Sequence, residues 1–169
     1  MTIFLVAGAD LTTKSLALAT LGDKKRPILG NLLSLHLVYN SGSAFSFAPN
    51  RTTLLTAFSL AVGVLILLRA KEFTHHLWLI AAGLVLGGIC GNLFDRIFRA
   101  PGALAGQVID WIELPHWPTF NLADSSIVVG AVLAAILVLR EIPSREFHDH
   151  QNDRGGPDAH ERTKGDGHE

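Results

Sequence analysis

The sequence predicts a mainly α-helical protein with four membrane spans, and two observations carry that prediction. Three apolar runs approach the length of a bilayer crossing, and most of the charge lies outside them, in loops and a tail. Hydrophobic residues make up 49% of the 169 and charged ones 17%, against roughly 25% charged in an average soluble domain. Of the 29 charged residues, 12 fall in residues 141–169, so residues 1–140 are poorer still. That body carries +3 (10 basic, 7 acidic) and the tail −4 (4 basic, 8 acidic). No net basic charge is left to argue for a nucleic-acid partner.

The first span, Ile3–Leu21, is interrupted by Asp10 and Lys14. Charges at that depth cost about 2.5–3.5 kcal/mol each on insertion scales, so both should face protein or water and not lipid. No basic stretch precedes the apolar run and Asp10 breaks it, so the segment reads as a retained span and not as a cleavable signal peptide. Nine residues before Asp10 are few for a half-span, which leaves open a natural start upstream of Met1.

The other spans are Leu54–Leu68, Leu77–Phe94 and Ser125–Leu139, brought to crossing length by Thr52 and Thr53, by His76, and by Asn121 to Asp124. Gly22–Arg51, between the first two spans, contains Leu32–Tyr39, which reads as a short strand before a Gly/Ser/Asn-rich turn. Asp95–Phe120 is a second long connection, marked by Pro101, Gly102, Gly106, Pro115 and Pro118. From Pro143 the chain is polar and nearly free of large apolar residues, which predicts a disordered hydrophilic tail over 143–169 behind a membrane domain over 1–142.

Four spans put both long connections on one side, and the termini with the Arg69–His75 turn on the other. The long-connection side holds Lys24, Lys25, Arg26, Arg51, Arg96 and Arg99; the other holds Arg69, Lys71, Arg140 and Arg145 near the membrane. Positive charge alone would therefore put the long connections in the cytoplasm.

Cys90 stands alone and reads as a small apolar residue. The eight His form no metal-binding spacing, so no metal site and no cofactor is expected. Gly87, Gly88 and Gly91 suit close helix packing. Asn40 and Asn92 read as turn or buried hydrogen-bonding residues.

Asp10, Asp95, Asp110 and Asp124 lie in or beside the spans, where ionisable groups are functional candidates. Asp110, in Val108-Ile109-Asp110-Trp111, has apolar neighbours that favour its protonated form. Asp124 opens the last helix, where backbone N–H groups favour a negative charge. One acid beside one carboxylate suits a pair that shares a proton and activates water. Asn121 with Asp124 also resembles a capping box, and Asp95, next to Arg96 and one turn before Arg99, suits a structural ion pair.

Asp10-Leu-Thr-Thr-Lys14, Asn40-Ser-Gly-Ser-Ala-Phe45, Gly87-Gly-Ile-Cys-Gly-Asn-Leu-Phe-Asp-Arg96, Val108-Ile-Asp-Trp111 and Phe120-Asn-Leu-Ala-Asp-Ser125 resemble, in order, the motif blocks of lipoprotein signal peptidase, or signal peptidase II. The resemblance runs from Asp10 to about Leu139. It implies four transmembrane helices with a small extracytoplasmic β-cradle, and an aspartic endopeptidase that cuts prolipoproteins just before a diacylglyceryl-modified cysteine.

Carried over residue by residue, it makes Asp110 and Asp124 the catalytic dyad. Asp10, Lys14, Asn40, Gly42, Ala44, Asn92, Asp95, Arg96, Asn121 and Ala123 become binding or supporting residues. The implied partners are diacylglyceryl-modified prolipoproteins and membrane lipids, and the chain is expected to act as a monomer. The implied place is the bacterial inner (cytoplasmic) membrane with both termini in the cytoplasm, opposite to the charge count. Tyr39 stands where many members carry a basic residue, the Arg96–Asp110 connection looks longer than usual, and Asp110 to Asp124 looks shorter. A non-catalytic or proton- or cation-coupled membrane transport protein is the alternative; such transporters often carry internal repeats, and none is visible.

Overall fold

The computed structural model describes residues 1–42 and 51–145. Four helices carry it: α1 (Thr2–Thr20), α2 (Arg51–Arg69), α3 (His76–Phe98) and α4 (Leu122–Leu139). A single 3₁₀ turn, Ala70–Glu72, links α2 to the approach to α3. Each of the four helices is long and apolar enough to cross a membrane. Their outer faces are covered by large exposed apolar side chains, among them Phe4, Leu54, Phe58, Leu68, Val128 and Leu139. Polar groups are among the most deeply buried: Asp10, Lys14, Asp95, Asp110 and Asn121 are all at most 1% exposed, as are Ile109 and Leu137. Apolar outside and polar inside is the inverse of a soluble domain, and it suits lipid as solvent.

Small residues bring the helices together. α3 packs against α1 and α4, and Gly87, Gly88 and Gly91 lie at those contacts. A β-carbon on Gly91 would stand 2.5 Å from Asp10 Oδ2, and one on Gly88 would meet the Ala123 carbonyl and Ser126. Without side chains the backbones approach closely enough for polar groups on three helices to meet.

Above this end of the helices lies a three-stranded antiparallel sheet, β1 (Arg26–Leu29), β2 (Leu33–Asn40) and β3 (Val108–Glu113), in that order. Two of its strands come from the first long connection and the third from the second. Val38 pairs with Asp110, Tyr39 with Ile109 and Asn40 with Val108. After β3 the chain doubles back, and the Phe120 carbonyl accepts from Trp111 and Ile112 at 3.0 and 2.8 Å. This return sets Asn121 at the head of α4.

The expected strand Leu32–Tyr39 is β2 to within one residue, whereas β1 and β3 had no strand expectation of their own. β1 carries Pro27 and β3 a central carboxylate, so neither shows a plain alternating pattern. α3 runs one turn past Phe94, so Asp95 and Arg96 belong to its last turn and not to the connection beyond it. Ala44 lies within 43–50, outside the described residues, as does the tail from residue 146.

Candidate active site

Polar side chains from α1, α3, α4, β2 and β3 form one network at the sheet end of the helices. Lys14 lies at its base. Its fully buried ammonium contacts Asp10 at 2.7 Å, one helical turn back, and across the α1–α3 interface reaches Asp95 at 2.9 Å and Asn92 at 3.0 Å. Three partners match the three protons of an ammonium group. The second oxygen of Asp10 accepts the Ala123 N–H at 2.9 Å, so α1 also satisfies one of the free N–H groups in the first turn of α4.

Asp95 takes a charged hydrogen bond from Arg99 and accepts the Ile109 N–H at 3.2 Å, which ties α3 to β3. The expected ion pairing of Asp95 is present with Arg99, but Arg96 is not its partner. Arg96 turns to the Asn40 and Gly106 carbonyls at 3.1 and 2.8 Å and fastens β2 and the second connection to α3. Lys14 is the second cation at Asp95. Residues 81 positions apart in sequence make that pair, so neighbour spacing could not indicate it.

Asn92, Asn121 and Asn40 connect this base to Asp110 and Asp124. The Asn92 amide donates to Asp124 at 2.8 Å, and its carbonyl receives both Lys14 and the Asn121 amide, the latter at 3.2 Å. Asn121 and Asp124 form a capping box: Asn121 Oδ1 accepts the Asp124 N–H at 3.0 Å and the Asn121 N–H donates to Asp124 at 3.2 Å. The Asn121 side-chain nitrogen also reaches Asp110 at 2.7 Å. The cap of α4 and the contact with Asp110 are therefore made by the same side chain. Asn40 donates to the other Asp110 oxygen at 2.8 Å and accepts the Gly42 N–H at 2.7 Å, which holds the end of β2 in a turn where Gly42 has φ +80°.

Burial and the nearby Asp124 raise the Asp110 carboxyl from its ordinary value to about 7, against the lowering effect of the Asn40 and Asn121 hydrogen bonds. Asp110 is 1% exposed, while Asp124 lines a cleft of about 210 Å³ with Asn40, Asn92, Arg96, Thr56 and Ser59. Such an arrangement offers a buried acid beside an accessible carboxylate. Among the described residues, no group of three or more His, Cys, Asp or Glu could hold a metal ion.

Sequence reasoning expected α2 as a span but named no site residue on it. Thr56, buried in the cleft wall, donates to its own helix at Thr52 and lies 3.1 Å from the Leu104 carbonyl, so it touches the second connection directly. Thr52, Thr56 and Ser59 sit at i, i+4 and i+7 in an otherwise apolar helix. That spacing was the available signal.

A family model described as signal peptidase (SPase) II matches residues 2–140. A lipoprotein signal peptidase of Rhodococcus jostii is 43% identical over 143 residues, covering 81% of this chain and 72% of that one. One of Mycobacterium avium is 42% identical over 133 residues, covering 78% and 73%. A bacterial membrane enzyme solved by the in meso method at 1.9 Å superposes with a TM-score of 0.72 over 83% of this chain and 91% of that one. At 22% identity that last likeness is one of fold.

Proposed function

The chain belongs to the signal peptidase II family, and from that premise we propose that it is a membrane aspartic endopeptidase that removes signal peptides from prolipoproteins, cutting before the diacylglyceryl-modified cysteine. The observation that carries the reading is the asparagine bridge: Asp110 and Asp124, from a strand and a helix, are both hydrogen-bonded to Asn121.

Asp124, open to the cleft at the head of α4, acts as general base on a water molecule. Asp110, protonated near neutral pH, donates to the scissile carbonyl as the tetrahedral oxyanion forms. The proton taken from water then passes to the leaving amine as the carbon–nitrogen bond breaks, and Asp110 recovers its proton from the tetrahedral hydroxyl as the new carboxyl forms. Asn92 and Asn40 fix the two carboxylates, and Lys14 with Asp10 and Asp95 holds Asn92 and the α1–α3–β3 junction. Gly42 belongs to the turn beyond β2, and Ala123 passes its N–H to Asp10.

The enzyme works as a monomer in the bacterial cytoplasmic membrane with this site on the outer side. Substrate lipid chains remain in bilayer hydrocarbon, and residues from 143 onward form a hydrophilic cytoplasmic tail. Incubating the purified full chain with a diacylated prolipoprotein tests the reading. Release of the signal peptide with the lipidated cysteine at the new N-terminus is expected; no cleavage by folded protein would overturn it.

A further inference from the structure

Ser59 differs from the other helix hydroxyls. Beyond the first residues of each helix, Thr12, Thr13, Ser15, Thr20, Thr56, Ser125 and Ser126 all donate to a carbonyl three or four residues earlier. Serine in an apolar helix normally does so, because its hydroxyl has no other acceptor. Ser59 Oγ has no hydrogen-bond partner among the described residues, and the side chain lines the cleft that holds Asp124.

Its surroundings indicate what it could receive. The side-chain amides of Asn40 and Asn92 are directed at Asp110 and Asp124, and the Thr56 hydroxyl at backbone carbonyls. Ser59 lies eight residues into α2, so it sits about 12 Å along the span from the end that bears the site, at 1.5 Å per residue. A signal-peptide helix must end before its scissile bond can enter such a site. Its last four carbonyls then lose their helical partners at membrane depth, where each unsatisfied group is costly.

We propose that Ser59 is a substrate-contacting residue whose hydroxyl donates to a main-chain carbonyl at the C-terminal end of the bound signal-peptide helix, on the N-terminal side of the cleaved bond. This rests on the peptidase reading above. Recognition of a main-chain group at this point is independent of signal-peptide side chains.

The test compares wild type, Ser59→Ala and Ser59→Thr in the full-length protein, using a diacylated prolipoprotein. KM and kcat are measured in the active enzymes, and Kd for the uncleaved substrate in an Asp124→Asn background. Ser59→Ala should raise KM and Kd about threefold to tenfold, the loss of one hydrogen bond, with kcat within about twofold and unchanged thermal stability. Ser59→Thr retains a hydroxyl and should recover most of the binding. Unchanged KM and Kd in Ser59→Ala, or equal impairment in both variants, would overturn the assignment while leaving the peptidase reading intact. A wild type that neither binds nor cleaves the substrate overturns the peptidase reading and this inference with it.

Discussion

The side-chain nitrogen of Asn121 stands 2.7 Å from Asp110, while the oxygen of the same amide caps α4 by accepting the Asp124 N–H at 3.0 Å. The two contacts can be separated by substitution. Asn121→Ala should lose both, with about 1 kcal/mol of stability gone and turnover reduced at least roughly tenfold. Asn121→Ser remains a good cap but has no amide to reach Asp110. It should melt within about 0.5 kcal/mol of wild type and still lose roughly tenfold in kcat. Wild-type kcat in the serine variant would mean that the contact with Asp110 is idle.

Asp95 is the nearest rival to Asp110 as partner of Asp124, and the two should respond differently to amide substitution. Asp95→Asn removes the negative charge facing Lys14 and Arg99, and should cost on the order of 3 kcal/mol or more. The molecules that fold should retain slow turnover, because Asp110, Asp124 and Asn121 are still present. Asp110→Asn should fold and leave essentially no turnover, since an amide has no acidic proton to give; Asp124→Asn should also be inactive, having no carboxylate to act as base. Cleavage per folded molecule is the measurement. A dead Asp95→Asn with an active Asp110→Asn would reverse the assignment.

The spans were legible because lipid demands long apolar runs, and the predicted spans fall inside the observed helices except that the first runs one residue past α1, to Leu21. The buried pair Asp10 and Lys14 was legible for the same reason, as charges that lipid would exclude. Less visible was anything depending on tertiary pairing. β3 looked like a carboxylate in apolar surroundings, and its strand partners lie far upstream, as the pairing of Val38 with Asp110 illustrates. Arg96 adjoins Asp95 in sequence, yet on a helix successive side chains point in different directions, and Arg96 reaches backbone carbonyls instead. The capping-box reading of Asn121 and Asp124 and their reading as site residues had looked like rivals. The amide of Asn121 has a donor end and an acceptor end, so both geometries coexist.

The raised Asp110 carboxyl gives a signed pH dependence. If its proton is the one given to the scissile carbonyl, kcat/KM should fall with a single-proton limb above about pH 7. Stability follows the same sign. A carboxyl that holds its proton more tightly when folded loses stability as pH rises from its ordinary 3.8 towards 7, then levels off. Asp110→Asn should flatten that slope in melting measurements. A flat activity profile from pH 6 to 9 would exclude Asp110 as the acid.

Two glycines offer a test of packing independent of chemistry. At Gly63 the nearest atom to an added β-carbon is Ile89 Cγ2 at 3.7 Å, so Gly63→Ala should be neutral or stabilise by roughly 0.5 kcal/mol. At Gly88 the same atom would lie 2.5 Å from Ser126 Oγ and 2.7 Å from Ile127, besides meeting the Ala123 carbonyl. Gly88→Ala must separate α3 from α4 and should cost roughly 1–3 kcal/mol. Equal melting temperatures for the two variants would show that α3 and α4 are less closely packed than described.

Orientation remains the point on which charge and family resemblance disagree, and it decides whether the proposed substrate can reach the site. Six basic residues on the long-connection side against four on the other favour a cytoplasmic site by count. That count treats all the arginines as free surface charge, but Arg96 is buried against carbonyls and Arg99 is paired with Asp95. Without those two the sides are even, so the charge argument loses its direction. In a Cys90→Ser background, Asn31→Cys in the β1–β2 turn and Lys71→Cys in the α2–α3 turn are exposed reporters on opposite sides. An impermeant thiol reagent applied to intact cells should label Asn31→Cys at once and Lys71→Cys only after permeabilisation. The reverse pattern would put Asp110 and Asp124 in the cytoplasm, on the wrong face for processing a prolipoprotein after export.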